Sequence, residues 1–120
     1  MTTVQEGKKG EGLACQFLQN EGYRIIERNF RIRGGEIDIV ALEGQTLVYI
    51  EVKTRTSYQF GRPEEAVTPR KIKFLERAAK FYRNNRKYLN LPVLERIDVV
   101  SVELVDQVGP RIKLIKNAGF

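Results

Sequence analysis

The chain has 120 residues, 42% of them hydrophobic, with a formal charge of +6 and a pI near 9.6. That length suits one domain with a single core, the apolar content argues against disorder, and the charge points to a polyanionic partner. Histidine is absent and Cys15 is the one cysteine, which excludes Ser-His-Asp triads, histidine-ligated metals, zinc clusters and internal disulfides.

The first element reads as a helix from Gln5 to Glu21, with Leu13, Ala14, Phe17 and Leu18 forming its apolar stripe. Cys15 lies beside that stripe and reads as packing. Gly7 and Gly10 fall near the stripe's axis, either for close packing or in a frayed first turn. Gly22 closes the helix. Tyr23 to Arg31 is a strand, and Arg33-Gly34-Gly35 turns the chain into a β-hairpin whose arms, Glu36–Leu42 and Leu47–Lys53, alternate and are rich in β-branched residues.

The hairpin's register follows from a two-residue turn at Gly44-Gln45. Asp38 then faces Glu51, and Glu36 faces Lys53. One face carries these four charges together with Val40, Leu42, Leu47 and Tyr49. The other carries Ile37, Ile39, Ala41, Val48, Ile50 and Val52 and is expected to be core.

Thr56 to Glu65, with Gly61 and Pro63, is a loop. A second helix starts after Thr68, its N-cap, and runs to about Tyr88. Between residues 70 and 87 it carries eight basic side chains and one acid, Glu76. Arg70, Lys73, Arg77, Lys80 and Lys87 share one stripe, with Ile72, Leu75, Ala79 and Tyr82 largely opposite. Such a stripe is either a phosphate-binding surface or a solvated outer face. Leu91-Pro92 breaks the chain, and Arg96 to Leu104 reads as an interior strand in which Asp98 is expected at a surface end. Arg111 to Ile115 is a last strand, and the tail from about Lys116 is expected to be loose. The order α-β-β-β-α-β-β gives an α/β domain, residues 1–120, with a central mixed sheet flanked by helices.

Two opposed carboxylates repel unless a cation lies between them. Mg²⁺ is held by one or two carboxylates plus water and phosphate oxygens, and a lysine on the same strand face adds a fixed positive charge. Asp38, Glu51 and Lys53 thus supply the parts of metal-assisted phosphodiester hydrolysis. The alternative is a solvated strand face whose repulsion Lys53 relieves.

Asp38 followed by Glu51-Val52-Lys53 on the next strand resembles the Asp…(Asp/Glu)-x-Lys core of restriction-endonuclease-like nucleases. Ile37 stands where the superfamily's short motif has Pro, which leaves the carboxylate chemistry intact. Gly10-Glu11-Gly12-Leu13-Ala14, Gly35 to Ala41, Val48 to Arg55 and Ala66 to Lys71 together resemble the small bacterial YraN-like family, UPF0102. That likeness runs through Asp98-Val99-Val100. It implies a restriction-endonuclease-like fold similar to archaeal Holliday-junction resolvases, with Asp38 and Glu51 as metal ligands, Glu11 from the first helix as a third and Glu36 as an accessory. The expected reaction is Mg²⁺- or Mn²⁺-dependent cleavage of branched, single-stranded or duplex DNA, structure-selective or non-specific. A two-fold homodimer is implied by the resolvase likeness.

Arg33, Arg55, Arg70, Lys73, Arg77 and Lys80 are the candidate phosphate contacts, with Arg31 and Arg62 flanking, and Tyr58 and Phe60 could stack on bases. The competing reading is a non-catalytic nucleic-acid-binding module using the same basic surface. No signal peptide and no apolar run of membrane-spanning length is found, so the expectation is a soluble cytoplasmic protein without a membrane partner.

Overall fold

The computed structural model describes residues 2–59, 61–105 and 109–119. Helix α1 (Thr3–Asn20) is followed by strands β1 (Arg24–Ile32), β2 (Gly35–Glu43) and β3 (Thr46–Arg55), helix α2 (Pro69–Asn85), and strands β4 (Leu94–Glu103) and β5 (Arg111–Gly119). The five strands form one mixed sheet in the order β1-β2-β3-β4-β5, antiparallel except for the parallel β3–β4 pair that α2 bridges. This is the α/β order read from the sequence, and it is the arrangement that the restriction-endonuclease-like resemblance implies.

Both faces of the sheet are buried. Ala14, Cys15 and Leu18 of α1 pack with Ile39, Ala41, Val48, Ile50, Val52, Val100 and Val102. On the other face Phe74, Leu75, Ala78, Ala79 and Tyr82 of α2 pack with Phe30, Ile37, Val40, Leu47, Tyr49 and Ile97. The expectation of one apolar face and one charged face is therefore corrected. Val40, Leu47 and Tyr49 are core as well, because strands sandwiched between helices bury both sides. Phe30, Tyr49 and Tyr82 meet edge to face at 5.0 and 6.1 Å between ring centres.

The helix boundaries have local causes. A capping box between Thr2 and Gln5 starts α1, and Gly22, at φ +93°, turns the chain out of it. Thr68 caps α2 by accepting the Lys71 amide, with Pro69 at the first helical position. Gly10 is a close-packing glycine: a Cβ there would lie 1.8 Å from Thr54 Oγ1 and 3.0 Å from Thr54 Cβ, whereas one at Gly7 would meet nothing.

The C-terminal expectation is also corrected. Residues 116–119 are not loose but complete β5; Phe120 lies outside the described residues. Lys116 pairs with Glu43 at 3.0 Å, the Asn117 amide donates to Asp98, and Gly119 pairs with Ile97. Asp98 is fully buried rather than at a surface end. The Tyr23 hydroxyl donates to it at 2.8 Å and the Arg96 guanidinium pairs with it at 2.8 Å. This network ties the start of β1 and the end of β5 to the middle of the sheet.

Candidate metal centre

The hairpin turn is at Gly44-Gln45, since Glu43 pairs with Thr46, and the expected register holds as far as Ile39 opposite Ile50. There the β2–β3 ladder stops, one position before Asp38 and Glu51. Strand β3 continues to pair with β4 through Arg55 opposite Glu103, so it is β2 that parts from β3. The Asp38 carboxylate enters the gap, where its Oδ2 accepts the Val52 amide at 2.8 Å.

Strand β1 is irregular at the same level. Asn29 sits at φ +54°, a left-handed conformation that Asn tolerates better than most residues. Its neighbours pair regularly, Arg28 with Ile39 and Phe30 with Ile37, while Asn29 and Asp38 between them do not. The kink breaks alternation: Phe30 and Ile37 join the α2 core, but Ile39 joins the α1 core. It also turns the Asn29 carboxamide to donate to Glu11 at 3.0 Å and to Glu36 at 3.2 Å.

Glu11, Glu36 and Asp38 each present a carboxylate oxygen within 4.8 Å of the others, the one such group of three among the described residues. Glu51 adjoins Asp38 from the α2 side. It is 2% exposed, and its Oε2 pairs with Lys53 at 3.3 Å and with Lys71 at 3.4 Å. Its Oε1 is buried without a hydrogen-bond partner among the described residues. Burial first, and the Glu51 charge second, push the Asp38 carboxyl up to about 9, against the lowering effect of the Val52 amide. Hard oxygen donors crowded at this negative, poorly solvated point suit Mg²⁺ or Mn²⁺ and not a thiophilic metal.

The sequence-derived residues thus converge on one end of the sheet, with two differences. Glu36 does not pair with Lys53; it lies with Glu11 and Asp38 and takes Arg31 at 3.3 Å. Glu51 carries two ammonium partners rather than one. Asn29, Lys71 and Arg28 (3.8 Å from Glu11) were missed. An Asn within an otherwise β-forming run was the one available signal for the first. Only tertiary structure brings the first turn of α2 to Glu51.

Two concave surfaces flank the cluster. On the α1 side a small cleft of about 200 Å³ is lined by Glu6, Glu11, Lys53, Thr54 and Arg55. The Arg55 Nε there is buried without a partner among the described residues. On the α2 side a groove of about 590 Å³ runs past Gly34, Thr68, Arg70, Lys71, Lys73, Phe74 and Arg77. Arg33, Arg70, Lys73, Arg77, Lys80 and Lys87 are exposed, whereas Arg83 and Arg86 are committed to Glu95 and Glu27. Tyr58 donates to Glu103 and lies under Arg62, yet its side chain stays exposed; Phe60 lies outside the described residues.

Residues 10–102 match the pattern of the family described as "Uncharacterised protein family UPF0102". The chain belongs to UPF0102. A UPF0102 protein of Geobacter sulfurreducens is 46% identical over 112 residues, 93% of this chain and 86% of its own. One from Caldicellulosiruptor saccharolyticus is 46% identical over 119 residues, 98% and 99% of the two chains. One from Renibacterium salmoninarum is 38% identical over 98% of each chain. The UPF0102 match spans the whole cluster from Glu11 to Lys71 and the basic run of α2. Among the described residues no helix is long and apolar enough to cross a membrane.

Proposed function

We propose that this UPF0102 protein is a divalent-metal-dependent endodeoxyribonuclease that hydrolyses phosphodiesters in branched, single-stranded or duplex DNA, by structure or without sequence preference. The observation that carries the reading is the meeting of Asp38 and Glu51 where β2 leaves β3, with Glu11 and Glu36 on one side and Lys53 on the other. Asp38, Glu11 and Glu36, with Glu51 alongside, would hold Mg²⁺ or Mn²⁺, which supplies a Lewis acid for the scissile phosphate and lowers the pKa of a water.

The chain's own residues account for the rest. Lys53 holds a fixed positive charge against Glu51, where negative charge builds on the phosphate in the transition state. Arg33, Arg55 and the exposed cations of α2 hold the DNA backbone through its charge alone. A surface this small leaves little room for base readout. A two-fold pair of such chains would offer two sites to two strands.

One observation favours a binding module instead: Lys53 and Lys71 together already offset the Glu51 charge. Labelled single-stranded, duplex, flap and four-way-junction DNA, incubated with Mg²⁺, Mn²⁺ or EDTA, separates the two readings. A nuclease cuts only with metal, and Glu51→Ala and Lys53→Ala abolish cutting while leaving salt-sensitive binding. Binding without cutting by the wild type would establish the module, and neither activity would sink both.

A further inference from the structure

We propose that Asn29 is a positioning residue of the metal centre, its carboxamide gathering Glu11 of α1 and Glu36 of β2 onto Asp38; this rests on the metal-site reading above. The like charges of Glu11 and Glu36 repel one another, and the two residues reach Asp38 from separate elements. Something must hold them together before a cation arrives. Carboxylates only accept hydrogen bonds, so the amino group of Asn29 is the edge that faces both. Two hydrogens on one nitrogen thus fix the spacing between the two acids. Arg28 beside Glu11 and Arg31 beside Glu36 offset charge from the same strand, but neither bridges the pair.

The backbone is built for this task. In an unkinked strand, Asn29 and Phe30 would project to opposite faces in the ordinary alternation, and Arg28 and Phe30 would share one. The left-handed residue instead parts Arg28, which reaches Glu11 on the α1 side, from Phe30, which enters the α2 core, and Asn29 stays with the carboxylates. Unusual backbone conformations persist where surrounding structure over-determines them, and here the constraint coincides with the unpaired position opposite Asp38. Groups that orient metal ligands typically govern affinity by about 10–100-fold.

The test is Mn²⁺ affinity, followed by the loss of the free-ion paramagnetic resonance signal, on the full chain. Wild type would be compared with Asn29→Gly, Asp38→Asn, Glu11→Gln/Glu36→Gln and the triple combination. Glycine keeps the left-handed backbone and removes only the carboxamide. The expected result is a loss of about 10-fold or more in Mn²⁺ affinity for Asn29→Gly, with melting in EDTA little changed. Added to Glu11→Gln/Glu36→Gln, the same substitution should cost almost nothing further, because the residues that it positions are already neutral. Wild-type affinity in Asn29→Gly alongside weak binding by Asp38→Asn would overturn the Asn29 role alone. A full additive loss in the triple variant would make its effect merely structural and overturn it too. Undiminished Mn²⁺ binding by Asp38→Asn would overturn the metal site and the proposal together.

Discussion

Asp38 belongs to β2, and its carboxylate enters the gap towards β3, where it accepts a hydrogen bond from the Val52 amide. Its pKa is raised to about 9, chiefly by burial, against about 3.9 in an unfolded chain. The native protein therefore holds a proton that the unfolded chain has lost, and stability in EDTA falls as pH rises between those values. Asp38→Asn removes this cost, so its melting temperature should exceed that of the wild type increasingly from pH 5 to pH 8. Parallel curves would mean that Asp38 ionises freely in the fold. Glu51 poses the opposite problem, a buried charge held by two ammoniums. Exposed ion pairs contribute under about 1 kcal/mol and breaking a buried pair costs about 3–5 kcal/mol. Lys71→Ala, which leaves Lys53 in place, should fall between, at roughly 1–3 kcal/mol in urea unfolding. In a Glu51→Gln background the same change should cost much less; an equal loss would place the role of Lys71 elsewhere.

At the scale of elements, the Asp98 network decides how the sheet edges are held. Asp98 is wholly buried with Tyr23, Arg96 and the Asn117 amide on it, and Asp98→Ala breaks the buried pair, leaving Arg96 to Glu43 alone and the Tyr23 hydroxyl and Asn117 amide without their acceptor. The expected loss is about 3–5 kcal/mol, with amide exchange rising first in β5; uniform exchange would mean that the network does not anchor that strand. This network was illegible in sequence because, besides Arg96 on its own strand, Asp98 takes its partners from Tyr23 just before β1 and from Asn117 of β5, 75 and 19 positions away. The hairpin was legible for the converse reason: its turn and register are local, and a two-residue turn fixes every pairing up to Ile39 with Ile50. Reading stopped where the ladder stopped. Alternation assigned Ile37 and Ile39 to one face, but the kink at Asn29 and Asp38 divides them between two cores. The Asn29–Glu36 contact depends on the β1–β2 register, which the turn at Gly44-Gln45 does not set. Asp38, Glu51 and Lys53 carried their spacing in the sequence, whereas Lys71 reached the site only through the packing of α2.

Across the whole molecule the surplus positive charge is laid out by α2. Its 17 residues extend ~25 Å at 1.5 Å per residue. Arg70, Lys73, Arg77 and Lys80 remain exposed along it while its apolar side fills the core under the sheet. If this is the DNA track, Arg70→Ala/Lys73→Ala/Arg77→Ala should lower the slope of log affinity against log salt by roughly 2–3. An unchanged slope would move the DNA to another surface. The carboxylates sit at the sheet end that the helix N-terminus approaches, so track and centre meet at Lys71. The most direct measurement is anomalous scattering from crystals soaked in Mn²⁺. The account predicts a peak within coordination distance of Asp38 and of Glu11 or Glu36. Crystals that take up Mn²⁺ elsewhere, or none at this cluster, would contradict it.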